Sequence, residues 1–451
     1  MPTHLINKNL IGATYTESEL ITYLFLENIH LKKALSSEIE PSKIERPNSH
    51  DTNVDSKFHI GRAYVDYNSI AGKKHLIIAN EYPNYGAEYG NGFVHRRVEY
   101  YKQYGAQVDV VAFGKRLPQK IYEYKDVKVL SGYVNELLYL LSTQEYESVS
   151  VHFLNHEMWN VLNPFLKDLN LFVYLHGYEV NRWVRRIFEY NTTEELTGNI
   201  ERTLQLQRFW KHVVGHQYGP RKFIFVSKWW QDAVTEDMEL TFPKKRTEIV
   251  HNFIDTKLFS FVPKDINQRY NLLWVRSADA RKYGNDLAIG CLRILQRSKY
   301  WHILKITIIG NGKYFHEFQD AFVNQSNVSI QQKFVSQEEI AALHKTNGIF
   351  LVPSRLDSQG VSRDEAMSSG LIAVTNSVTA IPEFIDSNTG VVAPPEDAQF
   401  MADEIIRIFE NPALFDQLSK AAALRARSQC GEQQTVKREA EIMGILGGSR
   451  R

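Results

Sequence analysis

Two carboxylates, Asp357 and Glu365, stand eight positions apart in the segment VPSRLDSQGVSRDEAMSSGLIAVTNSVTAIPEF, residues 352–384. The first falls on a loop after the apolar run GIFLVPS and the second in the helix that follows. Gly360 between them lets the backbone approach a ligand closely. Outward-facing amides at such a loop and helix start bind an anion, and a carboxylate on either side of that anion accepts hydrogen bonds from hydroxyls. A molecule with hydroxyls on both sides of a diphosphate is a nucleotide sugar. Cations to match occur in WVRSADARKYGND, where Arg276, Arg281 and Lys282 lie on a loop entering a helix and suit a diphosphate. Two acids at that spacing are common, so the pattern gains meaning only from the architecture around it.

Other chemistry-bearing residues are less specific. Gly86, Gly90 and Gly92 in EYPNYGAEYGNG form a glycine-rich loop without the G-x-G-x-x-G spacing of dinucleotide sites. His176 ends the run LFVYLHG and Glu179 follows it. In GYEVNRWVRRIFEY, Arg182, Arg185 and Arg186 flank Trp183, a mix suited to a phosphate-bearing acceptor or an anionic membrane surface, although a solvated helix face is the favoured reading. His152 and His156, and His212 and His216, have helical spacing but lack the His-Glu-x-x-His pattern, so with His251 they read as structural and no metal site is expected.

The elements that must position these groups follow from periodicity. A first stretch to residue 60 holds a helix, TESELITYLFLENIHLKKAL, opened by Thr16 and Glu19 in capping-box spacing, and then a Pro-, Ser- and charge-rich linker. From residue 74 buried-strand runs alternate with helices: KHLIIAN, QVDVVAFG, SVSVHFL, LFVYLHG and FIFVS. After a polar connector near residues 262–270 the alternation restarts with YNLLWV, LKITIIGNG, VSIQQKF, GIFLVPS and LIAVTN. This is the signature of two parallel, doubly wound α/β sheets in tandem, whose carboxyl ends border a cleft where ligands bind. The expected parts are an N-terminal helical extension and linker over 1–60, a first Rossmann-like domain over 61–262, a second over 263–428, and a C-terminal helix and tail over 429–451 able to pack back on the first domain.

Composition narrows the partners. Of 451 residues 43% are hydrophobic and 23% charged, enough to build real cores, and Lys+Arg 53 against Asp+Glu 52 leaves a formal charge of +1. Nucleic acid is therefore not expected as the main partner. Two cysteines, Cys291 and Cys430, cannot build a disulfide framework and suit a reducing cytoplasm. No basic leader with an apolar core opens the chain and no run spans a bilayer, so the expected location is cytoplasmic, with the inner membrane face as a second setting. The N-terminal helix suits docking on protein, with membrane contact as the other reading.

The segment 352–384 resembles the hallmark of retaining GT-B glycosyltransferases of family 4, the "glycosyl transferases group 1" domain: Pro-Ser-x-x-Glu-Gly-x-Gly, then Glu-Ala-Met-x-x-Gly, with seven residues between the acids. The likeness runs over residues 74–445 and is strongest after 270. Asp357 replaces the family's first Glu, Ser358 its first loop Gly and Gln359 the usual aromatic, while Glu365, Ala366, Met367 and Gly370 stand as in the family.

The resemblance implies a GT-B fold and transfer of a sugar from a UDP- or GDP-linked donor to a saccharide or lipid-linked saccharide, with no cofactor and no metal. By the same resemblance Asp357 and the backbone of Gln359, Gly360, Val361 and Ser362 hold the donor sugar, and Glu365 holds the ribose. Arg276 with Lys282 or Arg281 takes the diphosphate, Gly86 approaches the donor, and His176 sits near the transferred sugar. Gly90, Gly92, Glu179 and Arg182 fall to the acceptor side. Bacterial surface-polysaccharide assembly is the setting most like this family. The alternatives are a GT-B epimerase, hydrolase or sugar phosphorylase, and a glycan-binding scaffold without activity.

Overall fold

The computed structural model describes residues 74–85 and 90–446. The expected N-terminal extension and Gly86 lie outside them. Fourteen strands form two sheets among the described residues. The first takes β1 (Lys74–Ala79), β2 (Gln107–Phe113), β3 (Lys120–Tyr124), β4 (Val127–Gly132), β5 (Ser148–His152), β6 (Leu171–Leu175), β7 (Lys222–Phe225) and β8 (Thr247–Ile249). The second takes β9 (Asn271–Ser277), β10 (Lys305–Asn311), β11 (Val328–Gln332), β12 (Ile349–Leu351), β13 (Ile372–Asn376) and β14 (Val391–Ala393).

The first sheet runs in the order β3-β4-β2-β1-β5-β6-β7-β8 and the second β11-β10-β9-β12-β13-β14. Every pairing is parallel except β3 with β4. Helices cover both faces of each sheet, so the central strands are apolar without alternation, as β6 (LFVYL, all buried) shows. Two cores flank the first sheet: Leu76, Val151, Leu175 and Trp210 lie on one side, Ile77, Val94, Phe172 and Ile224 on the other. The second sheet repeats the plan.

The chain crosses between the two units twice. After β8 it passes through Asn252 and Phe259 into the second sheet, and the long helix Pro412–Cys430 then brings it back. The helix Val436–Met443 packs on the first sheet's cover, with Ala440 and Met443 in the same core as Val94 and Tyr174. Its Glu439 is fully buried, ion-paired to Arg97 at 3.1 Å and accepting from Tyr101 Oη at 2.7 Å. Arg97 also donates to Asn252 Oδ1 at 3.0 Å, tying crossing, cover helix and returning helix together.

Candidate active site

The carboxyl ends of both sheets face one cavity of about 820 Å³. On the second unit's wall, Arg276 stands next to the last residue of β9; its guanidinium donates to Pro353 O at 2.7 Å and Ser354 Oγ at 2.8 Å and pairs with Asp357 at 3.3 Å. Burial pulls the Arg276 guanidinium down from its ordinary value, with Asp357 opposing. The loop carrying Asp357 is held by β13: Ser354 N donates to Asn376 Oδ1 at 2.8 Å and Asn376 Nδ2 donates to Ser354 O at 2.7 Å. Thr379 Oγ1 accepts from Asp357 N at 3.1 Å, and Asp357 Oδ1 accepts from Gln359 N at 3.2 Å. The loop is thus preset, with its carboxylate beside a cation.

Gly360 N-caps the next helix, Val361–Ser368, at φ 104, a left-handed conformation that suits glycine. Asp357, Gln359, Gly360, Val361, Ser362 and Glu365 all line the cavity. The Gln359 side chain is taken up by the inter-unit crossing: Oε1 accepts from Asn252 N at 2.6 Å and Nε2 donates to Asn252 O at 3.2 Å. Glu365 is 4% exposed and meets Arg96, from the first unit's helix Gly92–Gln103, at 3.4 Å. Burial pushes its carboxyl up to about 7, against the pull of Arg96.

Lys282 lines the cavity, its amide donating to Glu189 Oε1 of the first unit at 2.8 Å. Arg281, its neighbour in the short 3₁₀ turn Arg281–Tyr283, does not line the cavity. It is held bidentate by Glu317 at 2.6 and 2.8 Å.

The first unit supplies His176 at the end of β6. Its Nε2 shares a 2.9 Å hydrogen bond with Nδ1 of His152, and the two rings stack at 5.1 Å between centroids. Burial holds both imidazoles well below their ordinary range, so both are neutral. Glu179 does not line the cavity. Its carboxylate folds back to accept from the amides of His176 and Gly177, and burial pushes it up to about 7. Gly90, Gly92 and Arg182 are also away from the cavity wall, although Phe93, next to Gly92, is on it. Glu179 thus braces the His176 loop, and Arg182 donates its amide to Asp237 at 3.1 Å.

Sequence reading named Arg186 only within a basic cluster and passed over Tyr178, Lys333 and Arg96. Arg186 and Tyr178 belong to the basic-aromatic segment, where only folding decides which arginine faces the cleft. Lys333, just after β11, follows from the rule that strand carboxyl ends carry the site. Arg96 reaches Glu365 across 269 positions, a separation no local pattern signals. The histidines read as structural pack on aromatic rings: His156 on Phe209, and His212 and His216 on Trp159.

Two facing doubly wound sheets with the site between their carboxyl ends define the GT-B fold. Solved structures share it: sucrose-phosphate synthase from Thermosynechococcus elongatus is 14% identical, with TM-score 0.61 over 82% of this chain and 98% of that one. Anabaena Alr3699/HepE in complex with UDP and glucose is likewise 14% identical, with TM-score 0.59 over 82% of this chain and 100% of that one. Residues 259–425, which carry the Asp357–Glu365 segment and Arg276, match the family model described as Glycosyl transferases group 1. Among curated proteins, the amylovoran biosynthesis glycosyltransferase AmsK of Erwinia amylovora is 26% identical over 231 residues, 49% of this chain and 55% of that protein. The chain spans about half the length of the curated relatives it matches.

Proposed function

We propose that the protein is a retaining, metal-independent glycosyltransferase of family 4 that moves a sugar from a nucleotide-sugar donor to a saccharide or lipid-linked saccharide. The observation that carries this reading is the placement of Arg276, Lys282, Asp357 and Glu365 on one wall of the inter-unit cavity, around the start of the helix Val361–Ser368. The family match over that wall supports it.

The donor lies with its diphosphate at Arg276, Lys282 and the amides from Gly360 onward, its ribose at Glu365 and its sugar at Asp357. As the bond from anomeric carbon to phosphate oxygen breaks, negative charge gathers on the leaving diphosphate. Arg276, fixed by Pro353 and Ser354, and Lys282 stabilise it without reorganising. The acceptor hydroxyl attacks from the same face, and the departing phosphate oxygen takes its proton, so the anomeric configuration is kept. Neutral His176 borders the transferred sugar. UDP in a structural neighbour supports a uridine donor, and the likeness to the amylovoran biosynthesis glycosyltransferase AmsK supports a role in polysaccharide biosynthesis.

The test is a melting-temperature panel of nucleoside diphosphates and nucleotide sugars, followed by turnover with the stabilising donor in excess EDTA. Transfer that survives EDTA and yields product of unchanged anomeric configuration is expected. Inverted product refutes retention, and activity restored only by a divalent cation refutes the cationic diphosphate site.

A further inference from the structure

Opposite the donor wall, the loop after β6 carries a second concentration of positive charge. Tyr178 is 58% exposed and lines the cavity together with Arg186. The Arg202 guanidinium lies 3.8 Å from the centroid of its ring and that of Arg186 lies 5.3 Å from it. Arg202 is anchored by a 2.6 Å hydrogen bond to Tyr178 O, whereas the Arg186 side chain makes no hydrogen bond among the described residues. Neither arginine has a carboxylate within ion-pair distance among the described residues, in contrast to Arg185 beside them, which Asp237 and Glu236 neutralise.

The acids that could have served are committed elsewhere. Glu179 is turned to the amides of His176 and Gly177, and burial pushes its carboxyl up to about 7, so only part of its charge is present near neutrality. Glu189 accepts from the Lys282 amide. Two guanidiniums thus share one ring beside the cavity, which Tyr178 and Arg186 line, and neither is in a direct ion pair among the described residues. The ring holds both cations in place by cation–π attraction while leaving their donors available.

We infer that Tyr178, Arg186 and Arg202 form the acceptor subsite and select a saccharide that carries a negative group, a phosphate or a carboxylate. This rests on the sugar-transfer reading for the word acceptor. The anion site itself stands on geometry. It belongs to the first unit, although its segment Trp183–Glu189 also meets the Lys282 turn through Glu189, so a donor site filled beforehand is what tells the two anion positions apart. The sugar ring attached to the bound anion would extend from Arg186 toward His176.

The experiment uses the full chain saturated with UDP or GDP, whichever raises its melting temperature, so that the donor site is filled. Glucose 1-phosphate, glucuronate and methyl glucoside are then titrated calorimetrically. A charged probe is expected to bind on the order of tenfold more tightly than methyl glucoside, as a charge-assisted contact requires. Arg186→Gln should lose that preference and Arg186→Lys should recover part of it. Arg202→Gln should act in the same direction. If that variant fails to fold, Arg186→Gln decides the matter, since its side chain anchors nothing. Binding of glucose 1-phosphate alone assigns a phosphate-bearing acceptor, and binding of glucuronate alone an acidic sugar. Equal affinity for charged and neutral probes, or unchanged affinity in Arg186→Gln, overturns the inference. So does an equal fall in nucleoside diphosphate affinity, which would put the donor's phosphates on this cluster. Arg186-dependent binding of a charged probe in a protein that transfers no sugar would uphold the anion site and refute the transfer reading.

Discussion

Arg276 and Lys282 differ in how the protein holds them, and this sets what each removal should do. Arg276 is buried and bonded to Pro353 O, Ser354 Oγ and Asp357. Arg276→Ala should therefore cost stability as well as turnover. Lys282 has no carboxylate partner among the described residues, its ammonium resting 4.8 Å from the Tyr283 ring centroid. Lys282→Ala should lower kcat on the order of 10²-fold while leaving the melting temperature nearly unchanged, because a preorganised donor acts mainly on charge that develops in the transition state. Steady-state kinetics beside thermal melts would check both; unchanged kcat in Lys282→Ala removes it from the reaction. Glu365 makes a pH prediction. Its carboxyl is pushed up to about 7 in the folded state, above the unfolded value of 4.5. Folding thus favours the protonated form, and this contribution is full at low pH and fades as pH rises from the unfolded value through 7. Glu365→Gln escapes the loss, and Arg96 keeps its 2.9 Å bond to Gln337. The variant should match the wild type near about pH 5 and gain on the order of 2–3 kcal/mol by about pH 8, at about 1.4 kcal/mol per unit of separation. Denaturant melts across that range measure it, and a gain that shrinks with rising pH contradicts the burial argument.

At the scale of elements, the site is a loop between β12 and a helix, and Gly360 is its pivot. A Cβ at Gly360 would lie 2.7 Å from the Arg363 guanidinium, a group that is itself buried and bonded to Gln359 O and Asp364. Gly360→Ala should destabilise by about 1–3 kcal/mol through the positive φ and the displaced arginine, and should weaken donor binding by shifting the amides from 360 onward. A melting curve and the nucleoside diphosphate shift read both; unchanged values exclude strain at this pivot. The same loop shows what a sequence discloses. The runs KHLIIA, LFVYL and KFIF announce their strands because sheets covered on both faces need continuous apolar segments. Asp357, Glu365 and Arg276 were legible because their spacing is local and the resemblance covers them. The β3–β4 hairpin was not read: its first strand is largely exposed, and its turn uses Lys125 and Asp126 at φ 44 and 59, in place of the Asn-Gly that marks such turns. Which of Arg281 and Lys282 enters the cleft was likewise left open, since it depends on Glu317, a residue thirty-six positions away.

At the scale of the whole molecule, the units are fastened as well as apposed. Besides the Gln359–Asn252 bonds, Ser227 Oγ donates to Ser358 O at 2.7 Å. Glu383 of the second unit accepts from the amides of Lys228 and Trp229 at 2.9 and 3.0 Å, capping the first unit's helix Lys228–Asp237 from outside. The returning helix adds the buried pair Arg97–Glu439. Glu439→Ala should destabilise by about 3–5 kcal/mol, because it strands a buried guanidinium; chemical denaturation measures it, and a loss confined to the second unit's transition would refute the tie.

That tie also bears on the order in which the chain is made. The first sheet leaves the ribosome early, yet its cover over Val94, Phe172 and Tyr174 needs Ala440 and Met443. Throughout synthesis of the second unit, the nascent first unit carries an open apolar groove and an unneutralised Arg97. Its completion waits on residues 436–445, so vectorial folding ends where it began.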